Sequence, residues 1–376
     1  MFGTTRHFFA EGNTARGLHS LYESAFRGLR HVIVLQGEPG TGKSSLIRRI
    51  AEDMSGRGQR LELFHSPRDP ETLDGLIAAD LRIGVVDGSA FADAKTALPG
   101  TAVQTFDFGE AVDAGRLADR REEIANLLER IGTEHREAYE CFQRALRIHD
   151  EWEQIYIGNM SFEKADRVVE ELMAELFGDS GQGTNEAGGI RHLFLGAATP
   201  QGAVDYVPNI TEGASKRIFI KGRPGSGKST MLKKLAAEAE KRRFHVEMFH
   251  CGFDPNSIDM VIVPELGTAI FDSTAPHEHN PSREGDEILD MYERTMEPGT
   301  DERYREQLAR VKSDYSAAMK QATACLAAAY SLRLRLRAVY ATATDYTVVD
   351  CIGGQVLKEM ERLAGTAYNE SAGVSG

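Results

Sequence analysis

The stretch Gly37-Glu38-Pro39-Gly40-Thr41-Gly42-Lys43-Ser44 follows the apolar run Val32-Ile33-Val34-Leu35. It recurs as Gly222-Arg223-Pro224-Gly225-Ser226-Gly227-Lys228-Ser229 after Ile218-Phe219-Ile220. Both fit G-x-x-x-x-G-K-[ST] between a β-branched strand and an amphipathic helix, the context in which that pattern has a mechanism. Glycines let the loop turn its backbone N–H groups inward around phosphate oxygens. The helix that follows adds its positive N-terminal end. On this reading Gly37, Gly40, Gly42, Lys43, Ser44 and Ser45 form one phosphate cradle, and Gly222, Gly225, Gly227, Lys228, Ser229 and Thr230 form a second. Lys43 and Lys228 neutralise β/γ-phosphate charge, while Ser44 and Ser229 reach Mg²⁺. The expectation is a nucleoside triphosphate, ATP with Mg²⁺, at each loop.

Sliding the chain until Lys43 falls on Lys228 matches far more than the loops. Arg6-His7 falls on Arg191-His192, Phe9 on Phe194, Thr14 on Thr199 and Gly17 on Gly202. Beyond the loop Glu62 meets Glu247, Phe64-His65 meets Phe249-His250, Asp69-Pro70 meets Asp254-Pro255, Asp74 meets Asp259 and Asp87 meets Asp272. This reads as the duplication of a whole domain. Each copy predicts a loop strand and helix (Val32–Leu35 and 43–57; Ile218–Ile220 and 228–243), then a strand (60–65; 245–250). A short helix started by Asp-Pro follows, then a third strand (Ile83–Asp87; Thr268–Asp272). Alternating strands and helices imply a parallel, three-layer α/β/α sheet in each of two tandem P-loop NTPase domains.

Helical spacing then takes over. The first domain spans 1–177 with a helical extension from about 115, including a helix over Ser161–Phe177. The Gly/Ser/Asn-rich stretch 178–189 reads as a linker. The second domain spans 190–364 with its extension from about 300, and a disordered tail occupies 365–376. The extensions either cover the nucleotide clefts and pair the domains, making a surface for a protein partner, or stand as solvated coiled-coil-like arms.

Composition narrows the class. With 41% apolar and 27% charged residues over 376 positions, the chain is long enough for two buried cores. A net charge of −13 argues against nucleic acid as partner. No apolar run has the length of a membrane span, and no signal-peptide layout opens the chain. Four cysteines without C-x-x-C spacing read as reduced thiols of a cytoplasmic protein.

Asp87 and Asp272 each end an apolar strand, the layout of a carboxylate that organises the water shell of Mg²⁺ beside the loop serine. Neither is followed by a second acidic residue: Gly88-Ser89 and Ser273-Thr274 come next. The water-activating Asp-Glu pair of a strong ATPase is therefore absent. His65 and His250 end the second strand at the edge where parallel folds gather ligands, so each either contacts phosphate or acceptor, or is structural. Asp69 and Asp254 read as helix caps, with Asp74 and Asp259 one helical turn further in. Past Asp272, His277, Glu278 and His279 lack zinc-ligand spacing and read as a mobile loop that contacts phosphate or substrate. Among the arginines crowding the extensions (Arg116, Arg120, Arg121, Arg303, Arg305, Arg310, Arg333, Arg335, Arg337), one can serve a transferring phosphate.

Taken together, the paired G-x-P-G-[ST]-G-K-S loops, the Phe-His strand ends, Leu73-Asp74 with Ile258-Asp259, and Asp-x-[ST]-Ala after the third strand resemble a family of bacterial tandem P-loop proteins loosely described as ATPases or nucleotide kinases. Ser273-Thr274-Ala275-Pro276-His277 is similar to that family's Thr-Ala-Pro-His element. The first copy departs from it at Phe91 and Ala92. The resemblance implies ATP hydrolysis or transfer of its γ-phosphoryl group to a small acceptor. Lys43, Lys228, Asp87, Asp272, His250 and His277 carry the chemistry, and the second site is the more complete. The competing expectation is a nucleotide-gated switch with slow turnover.

Overall fold

The computed structural model describes residues 5–91, 98–178, 180–185 and 188–373, with side chains described to residue 366. In chain order the elements are β1 (Thr5–Phe8), β2 (Glu11–Thr14), β3 (Gly17–Ser20), α1 (Tyr22–Ala25), β4 (His31–Gln36), α2 (Lys43–Gly56), β5 (Leu61–Ser66), β6 (Asp69–Ala78), β7 (Ile83–Asp87), β8 (Ala102–Asp107), α3 (Arg121–Ile157) and α4 (Phe162–Phe177). There follow β9 (Ile190–Phe194), β10 (Gly196–Thr199), β11 (Gly202–Asp205), α5 (Val207–Ile210), β12 (Lys216–Lys221), α6 (Lys228–Lys241), β13 (Val246–His250), β14 (Ile258–Val263), β15 (Thr268–Asp272), β16 (Asp286–Asp290), α7 (Met291–Thr295), α8 (Thr300–Arg303), α9 (Arg305–Ala341) and α10 (Tyr346–Gly373).

The chain is α/β, with two six-stranded sheets of the same order: β1-β5-β6-β7-β4-β8 and β9-β13-β14-β15-β12-β16. Both are mixed, which corrects the all-parallel expectation. β6 runs antiparallel to β5 and β7, and β14 does so to β13 and β15; the other pairings are parallel. The short helix expected after Asp-Pro is a strand or the turn into one. Asp69 opens β6, and Asp254 accepts from the Asn256 N–H in a turn before β14. Only Pro67 and Arg68 separate β5 from β6, far too few residues for the crossover that parallel neighbours need. The β-branched and apolar content of Ile258-Asp-Met-Val-Ile-Val overrides the local helix-start signal. Asp69 and Asp254 are therefore not helix caps, and Asp74 and Asp259 lie on strands.

β4 and β12 are apolar from Val32 to Leu35 and from Ile218 to Ile220 because successive residues, which point to opposite faces of the sheet, are all buried. Leu35 pairs with Asp87, and Ile220 with Asp272, so each strand-end aspartate stands beside the start of a loop. α2 buries Leu46, Ile47, Ile50 and Met54, and α6 buries Met231, Leu232, Leu235 and Ala239, the spacing of one helical face.

Two compact units result, neither continuous in sequence. The first-loop unit comprises Gly3–Glu11, Tyr22–Arg136 and the chain from Cys325 onward; the second-loop unit is built from Glu137–Ala324 with Gly12–Leu21. In the first-loop unit Ile352, Val356, Met360 and Leu363 of α10 share a core with α2 and β4. In the second-loop unit Val168, Val169, Leu172 and Phe177 of α4 share a core with α6 and β12. The stretch 178–189 separates the repeats along the chain, while each packed body draws on both sides of it. α10 continues to Gly373, through residues read as a disordered tail; 374–376 lie outside the described residues. Among the described residues no helix is long and apolar enough to cross a membrane.

Candidate functional site

Each loop closes on itself in the same way. The Thr41 hydroxyl donates to Glu38 O at 2.8 Å, and the Ser226 hydroxyl to Arg223 O at 2.7 Å. The lysines fold back over the loops: Lys43 Nζ donates to the carbonyls of Gly37 (2.6 Å) and Glu38 (2.9 Å), and Lys228 Nζ to that of Arg223 (3.1 Å). Both ammonium groups are buried and reach the strand-end carboxylates, Lys43 to Asp87 at 3.6 Å and Lys228 to Asp272 at 3.4 Å. Asp87 Oδ1 accepts from the N–H and hydroxyl of Ser89, and Asp272 Oδ1 from those of Thr274. Oδ2 is thus the oxygen that each aspartate turns to its lysine.

The loop serines are engaged as well. Ser44 Oγ accepts from the Leu73 N–H at 3.0 Å, and Ser229 Oγ from the Ile258 N–H at 2.9 Å. These bonds tie the first turn of each helix, which also carries Ser45 and Thr230, to the antiparallel strand. One residue further along those strands lie Asp74, half-buried, and Asp259, buried, and Asp74 Oδ2 has no hydrogen-bond partner. Burial pushes each pKa up to about 6, with Asp87 adding repulsion at Asp74 and Asp272 at Asp259. Each loop therefore faces two carboxylates, one of them deeply desolvated. Such oxygen ligands suit a hard cation such as Mg²⁺.

A folded-state pKa raised above the ordinary 3.8 gives stability that is present below that value and lost as pH rises through 6. The ionised Asp259 carboxylate then costs roughly 3 kcal/mol at pH 8. Asp259→Asn is expected to raise Tm at pH 8 and to leave it unchanged near pH 4. Scanning calorimetry at the two pH values checks this, and a variant less stable at pH 8 would contradict the assignment.

The surroundings of the two loops differ. At the first, Arg68 lies 3.0 Å from Glu11, whose pKa burial lifts to about 7 against the pull of that guanidinium. Arg333 of α9 joins them: burial, then Arg68, lowers its pKa, while Asp74 and Asp87 oppose. Arg337 Nη1 pairs with Asp69 at 3.1 Å. At the second loop His277 Nδ1 and His279 Nε2 each lie 3.0 Å from a different oxygen of Asp205. Burial pulls the His277 pKa down, but the Asp205 hydrogen bond and the charges of Asp259, Asp205 and Asp272 outweigh it and hold it above the ordinary value. The segment read as mobile is anchored here: the buried Ser273 hydroxyl donates to His279 O at 2.6 Å, and Lys221 Nζ to the same carbonyl at 2.9 Å.

His65 and His250 have both ring nitrogens engaged. A carbonyl only accepts, so His250 Nδ1 donates to Pro255 O (2.5 Å) and Nε2 accepts from His192 Nδ1 (2.8 Å). His65 repeats this with Pro70 O (2.8 Å) and His7 (2.9 Å). Burial lowers both pKa values to about 4, so both rings are neutral at pH 7. Phe91, where the first copy departs from the second, packs into an aromatic cluster with Tyr22 and Phe26. Ala92 lies outside the described residues.

Helices cap both loops. A Cβ on Gly40 would meet Arg337 O of α9 at 2.8 Å, and one on Gly225 would meet Glu153 O of α3 at 2.7 Å. Their φ values of +93° and +75° also demand glycine. Sequence reading missed Glu11, Arg68 and Asp205. The repeat places Gly196, Phe253 and Ser20 opposite them, so their signal was difference where likeness was sought. Comparison with protein-family models, curated proteins and solved structures found no match.

Proposed function

We propose that the chain binds Mg²⁺ and nucleoside triphosphate at two P-loops and hydrolyses the nucleotide or transfers its γ-phosphoryl group, with the second loop doing the chemistry. The observation that carries this reading is the paired arrangement of a buried lysine folded over its own loop carbonyls and held 3.4–3.6 Å from a strand-end aspartate. Bound phosphate would take the place of those carbonyls as the lysine's partner, at little cost in reorganisation. Ser44 with Asp87, and Ser229 with Asp272, are the oxygen donors suited to Mg²⁺, which supplies charge neutralisation on the phosphates. His277, whose protonated form the Asp205 hydrogen bond favours, is the group that can add a cation at the second loop. The first loop has Arg68 and Arg333 instead.

One observation favours a second reading, a nucleotide-gated switch. Helix backbone lies directly against Gly40 and Gly225, so any change in loop shape on binding must move α9 or α3. The test is ATP loss measured alone and with a panel of nucleosides, nucleotides and small metabolites. An acceptor that raises turnover at least tenfold and becomes phosphorylated establishes transfer. Slow turnover indifferent to every acceptor, with an ATP-dependent change in small-angle scattering, establishes the switch. Absence of Mg·ATP binding at millimolar concentration would sink both.

A further inference from the structure

Beside the first loop lies a cleft of about 480 Å³ walled by Glu38 of the loop, Val112, Arg121, Ile124 and Leu128 of α3, and Tyr340 of α9. It opens at the C-terminal end of β8, the strand next to β4. Asp87 and β7 lie on the opposite side of β4, so the loop stands between the carboxylates and the cleft. The walls are mostly apolar, with Leu128 half exposed to solvent, and the two charged side chains stand among them. Burial, and the charge and hydrogen bond of Glu38, raise the pKa of Tyr340, so its hydroxyl stays a donor to that carboxylate. The ring is thereby fixed as one wall. An apolar slot of this volume with few polar groups suits a small planar ligand, and an aromatic wall with a nearby guanidinium suits one that stacks.

At the second loop the corresponding tyrosine is engaged by the protein's own side chains. α3 and α9 are each 37 residues long, and Tyr156 and Tyr340 are their penultimate residues. Tyr156 is fully buried and donates to Asp301 Oδ1 at 2.7 Å. Arg223, which replaces Glu38 in the loop, donates to Asp301 Oδ2 at 2.9 Å and covers the Tyr292 ring at 5.0 Å. The tyrosine that walls the first cleft is, in its other copy, buried and tied to an ion pair beside the loop.

We infer that the cleft beside the first loop is a nucleobase site, stacking the base on Tyr340 with Glu38 and Arg121 at its edge, and that the second loop holds phosphates without reading a base. This rests on the proposed triphosphate role of the loops, since a base can reach the cleft only from a nucleotide whose phosphates the loop holds. The first site is then selective for its nucleotide, and the second is tolerant of any triphosphate.

The test is calorimetric titration of Mg·ATP, Mg·GTP and Mg·tripolyphosphate into Lys228→Ala, which keeps the first loop, and Lys43→Ala, which keeps the second. In Lys228→Ala the better of the two nucleotides is expected to bind at least tenfold tighter than tripolyphosphate. Adding Tyr340→Ala or Leu128→Ser should erase that advantage and leave tripolyphosphate affinity unchanged, whereas Tyr340→Phe retains it. Leu128 is exposed enough that its replacement spares the core. Lys43→Ala should bind all three ligands alike. Equal affinities in Lys228→Ala, or a nucleotide advantage that survives both cleft variants, overturns the inference while leaving the loop reading intact. If tripolyphosphate and nucleotides all fail to bind, the loop reading falls and takes the cleft with it.

Discussion

Lys228→Ala is expected to lower ATP turnover at least about 100-fold, the scale of loss when a preorganised electrostatic donor is removed from a reacting phosphate. Lys43→Ala is expected to cost nucleotide affinity while leaving turnover at saturating ATP within a few-fold. The asymmetry follows from the surroundings of the two lysines. Each is buried and faces an aspartate, but only Lys228 shares its site with the His277–Asp205 pair and its protonatable cation. At the first loop the cations are Arg68 and Arg333, and Arg68 already lies against Glu11. Turnover of the two variants, measured over a range of ATP concentrations, separates affinity from rate. Equal collapse of the maximal rate in both would contradict the division of labour.

Asp286→Ala is expected to destabilise the second-loop unit by about 3–5 kcal/mol, the cost of leaving a buried guanidinium without its partner. Arg217 on β12 donates to both oxygens of Asp286 on β16, at 2.7 and 2.6 Å, and both side chains are buried. The same carboxylate accepts from the N–H groups of Ser282 and Arg283 and is held well below the ordinary carboxylate range, first by Arg217. Thermal unfolding should show one transition moved down. Adding Arg217→Met removes the stranded charge and should recover most of the loss. A double variant as unstable as Asp286→Ala would mean that strand packing, and not the pair, is at stake. The first sheet has Val32 where β12 has Arg217, so its transition should stay in place.

The parts of this architecture that could be read in advance were those with local causes. β7 and β15 begin and end where an apolar run stops at aspartate, and α4 starts after Ser161, whose hydroxyl caps Lys164 N–H. The loops were legible because glycine spacing, lysine and serine are all demanded by one short piece of backbone. β6 was not. Asp69-Pro70 carries a strong local helix signal, and only its neighbours β5 and β7 make an extended strand the better choice. Asp74 and Asp259 were picked out by repetition, but their burial depends on that strand and had no sequence signature. The partners that make the two sites unlike, Glu11 with Arg68 and Asp205 with His277, join residues far apart in the chain. They also fall where the copies disagree. Tyr340 was hidden for another reason: its role depends on which residues fill the space beside it, and its copy Tyr156 has the same identity with the opposite outcome.

The distribution of helices between the two packed bodies has a consequence for biosynthesis. A domain usually folds as its own stretch of chain leaves the ribosome, N-terminal part first. Here the first sheet emerges long before Ile352, Val356 and Met360, the α10 residues that complete its core. The second sheet has the reverse situation, since α4 is already synthesised when β12 appears. The order of maturation therefore runs against the order of translation: the unit built on the second loop can consolidate first, and the first loop waits, half-roofed, for α10.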